Sequence, residues 1–306
     1  MEASALLAEL EPTVAGLLER HLSSAREWFP HQLVPWERVA ETGDPRDEWH
    51  ADQAPMDEAV RSALLVNLLT EDNLPHYFQT INDMFGADGP WGEWTRRWTA
   101  EEGRHSIVIR DYLTVTRSVD PVALERGRMR QVSAGVVPRP ATPVHGLAYV
   151  AIQELATRIA HGNTGRLLTD PAGSKVMARV AGDEQLHHVF YRDLVTATLE
   201  LDPSQAMLAI ADAVLDFAMP GVGIEGFGTH AKRIAAVGIY DFAVHAESIL
   251  APLLEEAWDL ANVEGLDATA EEARTKTLAH LDRVRKAGRR TADRRETKKS
   301  RKVSAA

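Results

Sequence analysis

Apolar residues recur every three or four positions through most of the chain, which is the spacing of an α-helix with one buried face. The clearest stretches are residues 5–19 and 57–83. No alternating run of apolar and polar residues is long enough to indicate a β-strand. Residues 25–56 hold several prolines between tryptophans, and we expect an extended segment that packs on the body. The pattern predicts an all-α protein.

A pattern of glutamate and histidine occurs twice on the predicted helices. In each copy, a glutamate with apolar neighbours is followed about thirty residues later by Glu-x-x-His. Residues i and i+3 of a helix project from one face, so each Glu-x-x-His offers a carboxylate and an imidazole to the same point. The residues concerned are Glu71, Glu102, His105, Glu154, Glu184 and His187. On four helices they form the ligand set of a carboxylate-bridged di-iron centre.

Turn residues separate the lone glutamate from the Glu-x-x-His in both copies. Residues 86–90 and 170–173 are rich in glycine, proline and aspartate. Each copy therefore predicts an αα-hairpin, and two hairpins joined by one long connection favour a ferritin-like four-helix bundle with additional helices. Pro75 has no N–H to donate to the carbonyl of Glu71, which predicts a kink beside that candidate ligand.

The charge of the candidate ligands favours a metal. They lie on the apolar faces of their helices, where an unpaired charge is costly. Arg158 could neutralise one of the four carboxylates, but not all of them. An isolated Glu-x-x-His is usually a solvated pair of neighbours, whereas this buried set needs cations to compensate it. We therefore predict two iron ions per chain.

Three further residues lie near the candidate ligands in sequence. Asp183 directly precedes the second Glu-x-x-His, and is either a solvated residue or an acceptor for the free N–H of a metal-bound histidine. Thr157, one helical turn after Glu154, either bonds to the carbonyl of residue 153 or lines the site. His161 could reach one end of the site, but we expect a structural hydrogen-bonding role for it.

The composition narrows the chemistry and the location. The chain has no cysteine, which excludes disulfides, cysteine-bound iron–sulfur clusters and thiolate nucleophiles. Electrons for any redox reaction must therefore come from another protein. No apolar run approaches the roughly 18 residues that cross a bilayer, and no secretory signal is visible. We expect a soluble, cytoplasmic protein that is not integral to a membrane.

The net charge of −11 conceals an asymmetry. Lysine and arginine are concentrated between residues 285 and 302, and the preceding body is strongly acidic. We predict one di-iron domain, residues 1–284, and a disordered basic tail, residues 285–306. Nucleic acid is not an expected partner of the acidic body.

The sequences around both repeats resemble the soluble acyl-acyl-carrier-protein desaturases, the stearoyl type of plastids and particularly their actinobacterial relatives. The matching stretches, between about residues 25 and 250, are LTEDNLPHYFQT, WTRRWTAEEGRHSIVIRDYL, IQELATRIAHGNTGR and GDEQLHHVFYRDL. The resemblance implies that the six candidates bind iron and that Thr157 lies near the oxygen-binding side. It also implies that Asp183 and Trp28 lie on a hydrogen-bonded path between the surface and the iron.

The same resemblance implies an activity. It is the O₂-dependent insertion of a cis double bond into a saturated acyl chain carried on acyl carrier protein, in fatty acid biosynthesis. A ferredoxin-like protein would donate the electrons, and the enzyme would be a homodimer. The chain departs from the family at Gly103, where asparagine is usual, and at Gln185 and Leu186, but none of these is a ligand position.

The alternative functions would use the same metal centre for a different purpose. A fatty-acyl hydroxylase or oxidase could use the same fold. A ribonucleotide reductase radical subunit needs a tyrosine beside the iron; Tyr112 lies too far along its helix from His105, whereas Tyr191 is within reach of His187. A non-catalytic iron-storage ferritin would form a cage, in which the basic tail has no obvious place.

Overall fold

The computed structural model describes residues 2–53 and 56–304. The helices of the first half are α1 (Ala3–Ser24), α2 (Pro30–Leu33), α3 (Val39–Thr42), α4 (Glu58–Glu71), α5 (Leu74–Phe85) and α6 (Gly89–Val115). Those of the second half are α7 (Pro121–Ala134), α8 (Pro143–Leu167), α9 (Pro171–Leu201), α10 (Pro203–Leu215), α11 (Phe227–Val237), α12 (Phe242–Val244) and α13 (Ala268–Ser304). Short 3₁₀ turns cover Trp36–Arg38, Pro220–Gly223 and Leu260–Asn262, and π-helical turns cover His245–Leu250 and Pro252–Ala257. The described residues contain no strand, which confirms the all-α prediction.

Helices α4, α6, α8 and α9 form the bundle that carries the candidate ligands. Helices α4 and α9 each pack against both α6 and α8, so the four helices form one closed bundle. The first hairpin consists of α4, α5 and α6, the second of α8 and α9, and α7 lies in the connection between them. Helix α1 packs on α6 and α9, and α10 on α8 and α13. The predicted ferritin-like bundle with additional helices is confirmed.

Local sequence signals start the helices of the bundle. The side chains of Asp57, Thr142 and Asp170 accept hydrogen bonds from backbone N–H groups in the first turns of α4, α8 and α9. Helices α6, α8 and α9 also have proline in the first turn, where a missing N–H costs no helical hydrogen bond. These signals fix where each ligand-bearing helix begins.

The kink predicted beside Glu71 is a complete break between two helices. The chain leaves the helix at Glu71 and starts a new one at Leu74, with Pro75 in its first turn. Pro75 cannot donate to the Glu71 carbonyl, and the intervening residues form a tight turn in which the N–H of Asn73 donates to the carbonyl of Thr70. Glu71 is consequently the last residue of its helix.

The sequence analysis predicted that residues 25–56 are extended and pack on the body. The described residues of this segment do pack on the body, but they are not extended throughout. They contain α2, α3 and a 3₁₀ turn. Arg117, which is fully buried, holds the following loop: its guanidinium donates to the carbonyls of Asp44 and Glu48, at 2.6 and 2.7 Å, and to the side chain of Gln53. A buried arginine with backbone acceptors stabilises a loop that lacks regular hydrogen bonds of its own.

The basic segment after residue 284 is helical through Ser304, whereas its composition predicted disorder. Arg285 makes two hydrogen bonds of 2.6 Å to Glu255, and Gly288 lies so close to Ala243 that a side chain there would clash. The segment continues a helix that is already formed, so no new nucleation is needed, and alanine, lysine and arginine favour the helix. The division of the chain at residue 284 stays a prediction.

None of the helices in the described part of the chain is by itself long and apolar enough to cross a membrane. Helix α11 and residues 242–262 are long and apolar enough only when they are counted together, and the chain bends sharply between them.

Candidate metal centre

The bundle brings all six sequence-predicted ligands together. They form two overlapping groups, in each of which one ligand atom per residue lies within 4.8 Å of the others. The first group is Glu71, Glu102, His105 and Glu184, and the second is Glu102, Glu154, Glu184 and His187. Glu102 and Glu184 belong to both groups. Such an arrangement would hold two metal ions, with two of the carboxylates available to both.

The donor atoms fit metal ions better than they fit one another. All six side chains are buried, with no residue more than 6% exposed. Five of their buried polar atoms have no hydrogen-bond partner: Glu102 Oε1, His105 Nδ1, Glu154 Oε2, Glu184 Oε2 and His187 Nδ1. His187 Nδ1 lies only 2.8 Å from Glu102 Oε1, but the two atoms are not aligned for a hydrogen bond. Buried polar atoms without partners are rare, and imidazole and carboxylate donors suit iron.

Burial and neighbouring charges shift the pKa values of several side chains in the cluster. Burial, together with the nearby charge of Glu184, raises the pKa of Glu154 well above its usual range. Burial alone would lower the pKa of His105 and His187, but the surrounding carboxylates outweigh it and raise both values well above the usual range. A metal ion would therefore compete with protons for these donor atoms.

The outer nitrogen of each imidazole points to an acid. His105 Nε2 lies 3.4 Å from Asp183 Oδ2, and His187 Nε2 lies 3.0 Å from Glu101 Oε2. An N–H at Nε2 that donates to an acid leaves Nδ1 with a lone pair that faces the metal positions. Each acid immediately precedes the glutamate of the other Glu-x-x-His pair, so the two hairpins support each other's histidine.

Asp183 also connects the cluster to Trp28. The indole N–H of Trp28 donates to Asp183 Oδ2 at 2.8 Å, and the Arg104 guanidinium donates to the same oxygen at 3.1 Å. Burial would raise the pKa of Asp183, but the hydrogen bonds, that from His105 foremost, lower it to about 2. Trp28, Asp183 and His105 thus form one continuous chain of hydrogen bonds. That electrons follow this chain stays a prediction.

The sequence analysis missed Glu101, although a signal for it existed. An acid precedes the glutamate of both Glu-x-x-His pairs, and only Asp183 was singled out. Glu101 is 3% exposed and accepts from both His187 and His21. Burial would raise its pKa, but these two hydrogen bonds lower it well below the usual range. His21 carries no signal in the sequence, because a single histidine on an amphipathic helix is unremarkable.

His161 lies against the cluster rather than serving only a remote structural role. Its Nε2 is 3.2 Å from Glu71 Oε1 and 3.5 Å from Glu184 Oε1. Burial lowers its pKa, but the contacts with Glu184 and Glu71 outweigh burial and raise it to about 9.

Thr157 both bonds to the backbone of its own helix and lines the site, which are the two roles considered for it in the sequence analysis. Its hydroxyl donates to the carbonyls of Gln153 and Glu154, and its side chain lines a cavity beside Glu71.

Two largely apolar cavities meet at Glu71. The first is lined by Ala63, Thr157, His161, Phe227, Ile234 and Tyr240, among others. The second is lined by Tyr77, Ile81, Met84, Trp98, Tyr149 and Glu154, among others. Thr70 and Glu71 line both. The metal positions therefore border a space that could hold a long apolar ligand.

Comparisons of the sequence and of the structure with known proteins point to one family. The sequence model of a family described as fatty acid desaturase matches residues 2–306. DesA1 of Mycobacterium tuberculosis, provisionally named an acyl-acyl-carrier-protein desaturase, is 42% identical over 88% of this chain and 81% of its own. The chloroplastic acyl-acyl-carrier-protein desaturase 7 of Oryza sativa is 32% identical over 94% of this chain and 77% of its own. The X-ray structure of DesA2 from Mycobacterium tuberculosis, also provisionally named an acyl-ACP desaturase, has a TM-score of 0.68 at 29% identity and covers 88% of this chain and 99% of that chain.

Proposed function

Because the chain belongs to the fatty acid desaturase family, we propose that it is an acyl-acyl-carrier-protein desaturase that inserts a cis double bond into a saturated acyl chain. The observation that carries the proposal is the position of six buried O and N donors beside two apolar cavities that are both lined by Thr70 and Glu71. The names of the relatives support the carrier-protein substrate.

The proposed metal centre contains two iron ions. Glu71 and His105 would hold one ion, Glu154 and His187 would hold the other, and the two shared carboxylates would lie between them. When bound, such a pair supplies activation of O₂ and removal of hydrogen from an unactivated C–H bond. The overall reaction consumes one O₂, two electrons, two protons and two substrate hydrogens, and it yields the alkene and two waters.

The residues around the ions bind the substrate and exclude water. An acyl chain that runs through both cavities passes Glu71, so the carbons at the junction lie beside the metal positions. The apolar walls favour the chain by about 0.8 kcal/mol for each buried methylene. Thr157 and His161 border the first cavity and would lie on the side of the centre that O₂ reaches.

Two partners follow from the chemistry. The chain has no cysteine for an iron–sulfur cluster or a dithiol, so a ferredoxin-like protein is the proposed electron donor, with Trp28 and Asp183 on the proposed path to His105. The body is acidic and so is acyl carrier protein, so docking needs a local group of basic residues against a repulsive background. By family resemblance the enzyme would be a homodimer.

The decisive experiment is product analysis with purified components. Iron-loaded protein, ferredoxin, its reductase and O₂ are incubated with saturated acyl-acyl-carrier-protein, and the acyl chains are analysed by mass spectrometry. We expect a loss of two hydrogens, dependent on O₂ and absent from the Glu184→Ala variant. Free fatty acids and coenzyme A esters should react more slowly.

Other products would contradict the proposal in recognisable ways. A hydroxylated chain would indicate an acyl hydroxylase, and a tyrosyl-radical signal at Tyr191 would indicate a radical subunit. Iron uptake into a large cage without any change in the acyl chain would indicate a storage protein.

A further inference from the structure

Residues 21–28 lie outside the four helices that carry the ligands, yet they place one ring beside each candidate imidazole. The ring of His21, near the end of α1, stacks on that of His187, with centroids 5.8 Å apart and planes 23° apart. The indole of Trp28 stacks on His105 at 6.5 Å and 15°. The two halves of the metal centre therefore have matching outer neighbours.

Each of these rings also contacts the acid that holds the imidazole. His21 Nε2 lies 2.8 Å from Glu101 Oε2, the same oxygen that accepts from His187. Trp28 donates to Asp183 Oδ2, the same oxygen that accepts from His105. One short stretch of chain thus makes the same two kinds of contact, a ring stack and a hydrogen bond, to both halves of the centre.

The pocket around His21 leaves its ring little freedom. His21 is 4% exposed, and the edge of its ring meets Trp94, with centroids 5.0 Å apart and planes 84° apart. The Glu101 carboxylate is fixed as well, by an ion pair with Arg97 and by Arg104 at 3.8 Å. A buried ring on a buried acid that is itself fixed can transmit a preferred orientation to His187.

His21, Glu101 and His187 also have the spacing of a small metal site. The surroundings disfavour a cation there, because Arg97 and Arg104 already bring positive charge to Glu101. Both imidazoles are within hydrogen-bond distance of one carboxylate oxygen, which accounts for the three atoms that face one another without an ion.

On the premise of the proposed di-iron function, we propose that His21 is a positioning residue for His187. Through Glu101 and by stacking, it orients the imidazole so that Nδ1 faces the metal position shared with Glu154. Trp28 and Asp183 do the same for His105 at the other position. The two metal positions consequently depend on different residues of the N-terminal stretch, and each can be weakened separately.

The test is the rate at which iron leaves the protein. Protein loaded anaerobically with Fe²⁺ is mixed with a colorimetric Fe²⁺ chelator, and release is followed in time. His21→Phe keeps a ring but removes the hydrogen bond, and it should release one of the two ions roughly 10- to 100-fold faster, as for other outer partners of metal-bound histidines. Trp28→Phe should accelerate the release of the other ion. In the double variant both should leave faster.

Two further variants separate positioning from general loosening. His21→Gln retains an N–H that can reach Glu101, and it should restore most of the slow release. Leu22→Ala alters an exposed neighbour on the same helix and should release iron like the wild type. Far-UV circular dichroism of each metal-free variant checks that it is folded. If His21→Phe does not fold, His21→Ala, which also removes the hydrogen bond, is compared with His21→Gln in its place.

Three results would overturn the proposal. They are unchanged release from a folded His21→Phe, equal acceleration of both ions in that variant, and release from His21→Gln as fast as from His21→Phe. If the wild type itself retains fewer than two Fe²⁺ per chain, the di-iron centre of the proposed function fails, and this proposal fails with it. That outcome is visible before any variant is made.

Discussion

Glu102 and Glu184 each contribute to both ligand groups, whereas Glu71 and Glu154 contribute to one group each. The four carboxylates are therefore not equivalent, although they look alike in sequence. Loss of a shared carboxylate removes a donor from both metal positions. Loss of a terminal carboxylate leaves the other position with its full set of donors.

This difference predicts the iron content of single variants. Glu184→Ala should lose both ions, whereas Glu71→Ala should retain about one ion per chain because its remaining position keeps all four donors. Both should stay folded, since removal of a buried carboxylate relieves repulsion between like charges. Iron is measured colorimetrically on desalted protein, with Glu93→Ala, an exposed residue of α6, as the control. Equal iron contents in Glu71→Ala and Glu184→Ala would contradict the shared arrangement.

The convergence of the candidate ligands could be predicted because much of the pattern lies within single helices. The i,i+3 spacing and the apolar neighbours are properties of local sequence, and Glu102 with His105 illustrates both. Glu101 and His21 meet the site through contacts between helices, which spacing along the chain does not determine. The position of His161 depends on the packing of α8 against α4, and its sequence neighbours gave no reason to place it at Glu71.

Among the elements, α13 departs furthest from the sequence-based expectation. Its basic end is helical, and its first part is anchored by Arg285 on Glu255 and by the close contact of Gly288 with Ala243. Amphipathic periodicity fades after Val284, so the pattern indicated no partner for the segment. The anchor is made by an ion pair and a glycine contact, neither of which appears as periodicity.

The anchored part changes how the role of the basic segment should be tested. Truncation after Asp293 removes most of the cations and leaves Arg285 and Gly288 in place. Iron content and the limiting turnover rate should be unchanged, whereas turnover at low concentrations of acyl carrier protein or ferredoxin should fall. Because charge steering is screened within about 10 Å at 0.1 M salt, the difference should vanish as salt is raised.

A truncation after Val284 serves as the contrasting variant. It removes the ion pair with Glu255 and the contact with Ala243, so its melting temperature should fall as well as its rate at low partner concentration. Unchanged kinetics of the Asp293 truncation at low salt would show that the cations collect no acidic partner.

The molecule as a whole carries more acid than base, and its interior concentrates four carboxylates in one place. In the metal-free protein, the pKa values of Glu154, His105 and His187 lie well above their usual ranges, so these groups keep their protons to higher pH than free side chains do. Fe²⁺ must displace these protons to reach the donor atoms. Metal affinity is therefore coupled to pH through the entire cluster.

The direction of the coupling can be stated. Binding of Fe²⁺ near pH 7 should release protons, and the affinity should rise from pH 6 to pH 8 because fewer protons then have to be displaced. Proton release is measured by anaerobic titration in weakly buffered solution, and affinity by competition with a chelator of known pH dependence. An affinity that is constant between pH 6 and pH 8 would contradict the raised pKa values.

Each hairpin provides the acid that accepts a hydrogen bond from the candidate histidine of the other hairpin. This has a consequence for how the protein acquires its metal during synthesis. Asp183 of the second hairpin supports His105 of the first, Glu101 of the first supports His187 of the second, and each ligand group needs carboxylates from both. A nascent chain that has released only α4–α6 from the ribosome therefore has no complete binding site. We expect iron to be loaded only after α9 has emerged and docked, so that a metallated protein is also a fully assembled one.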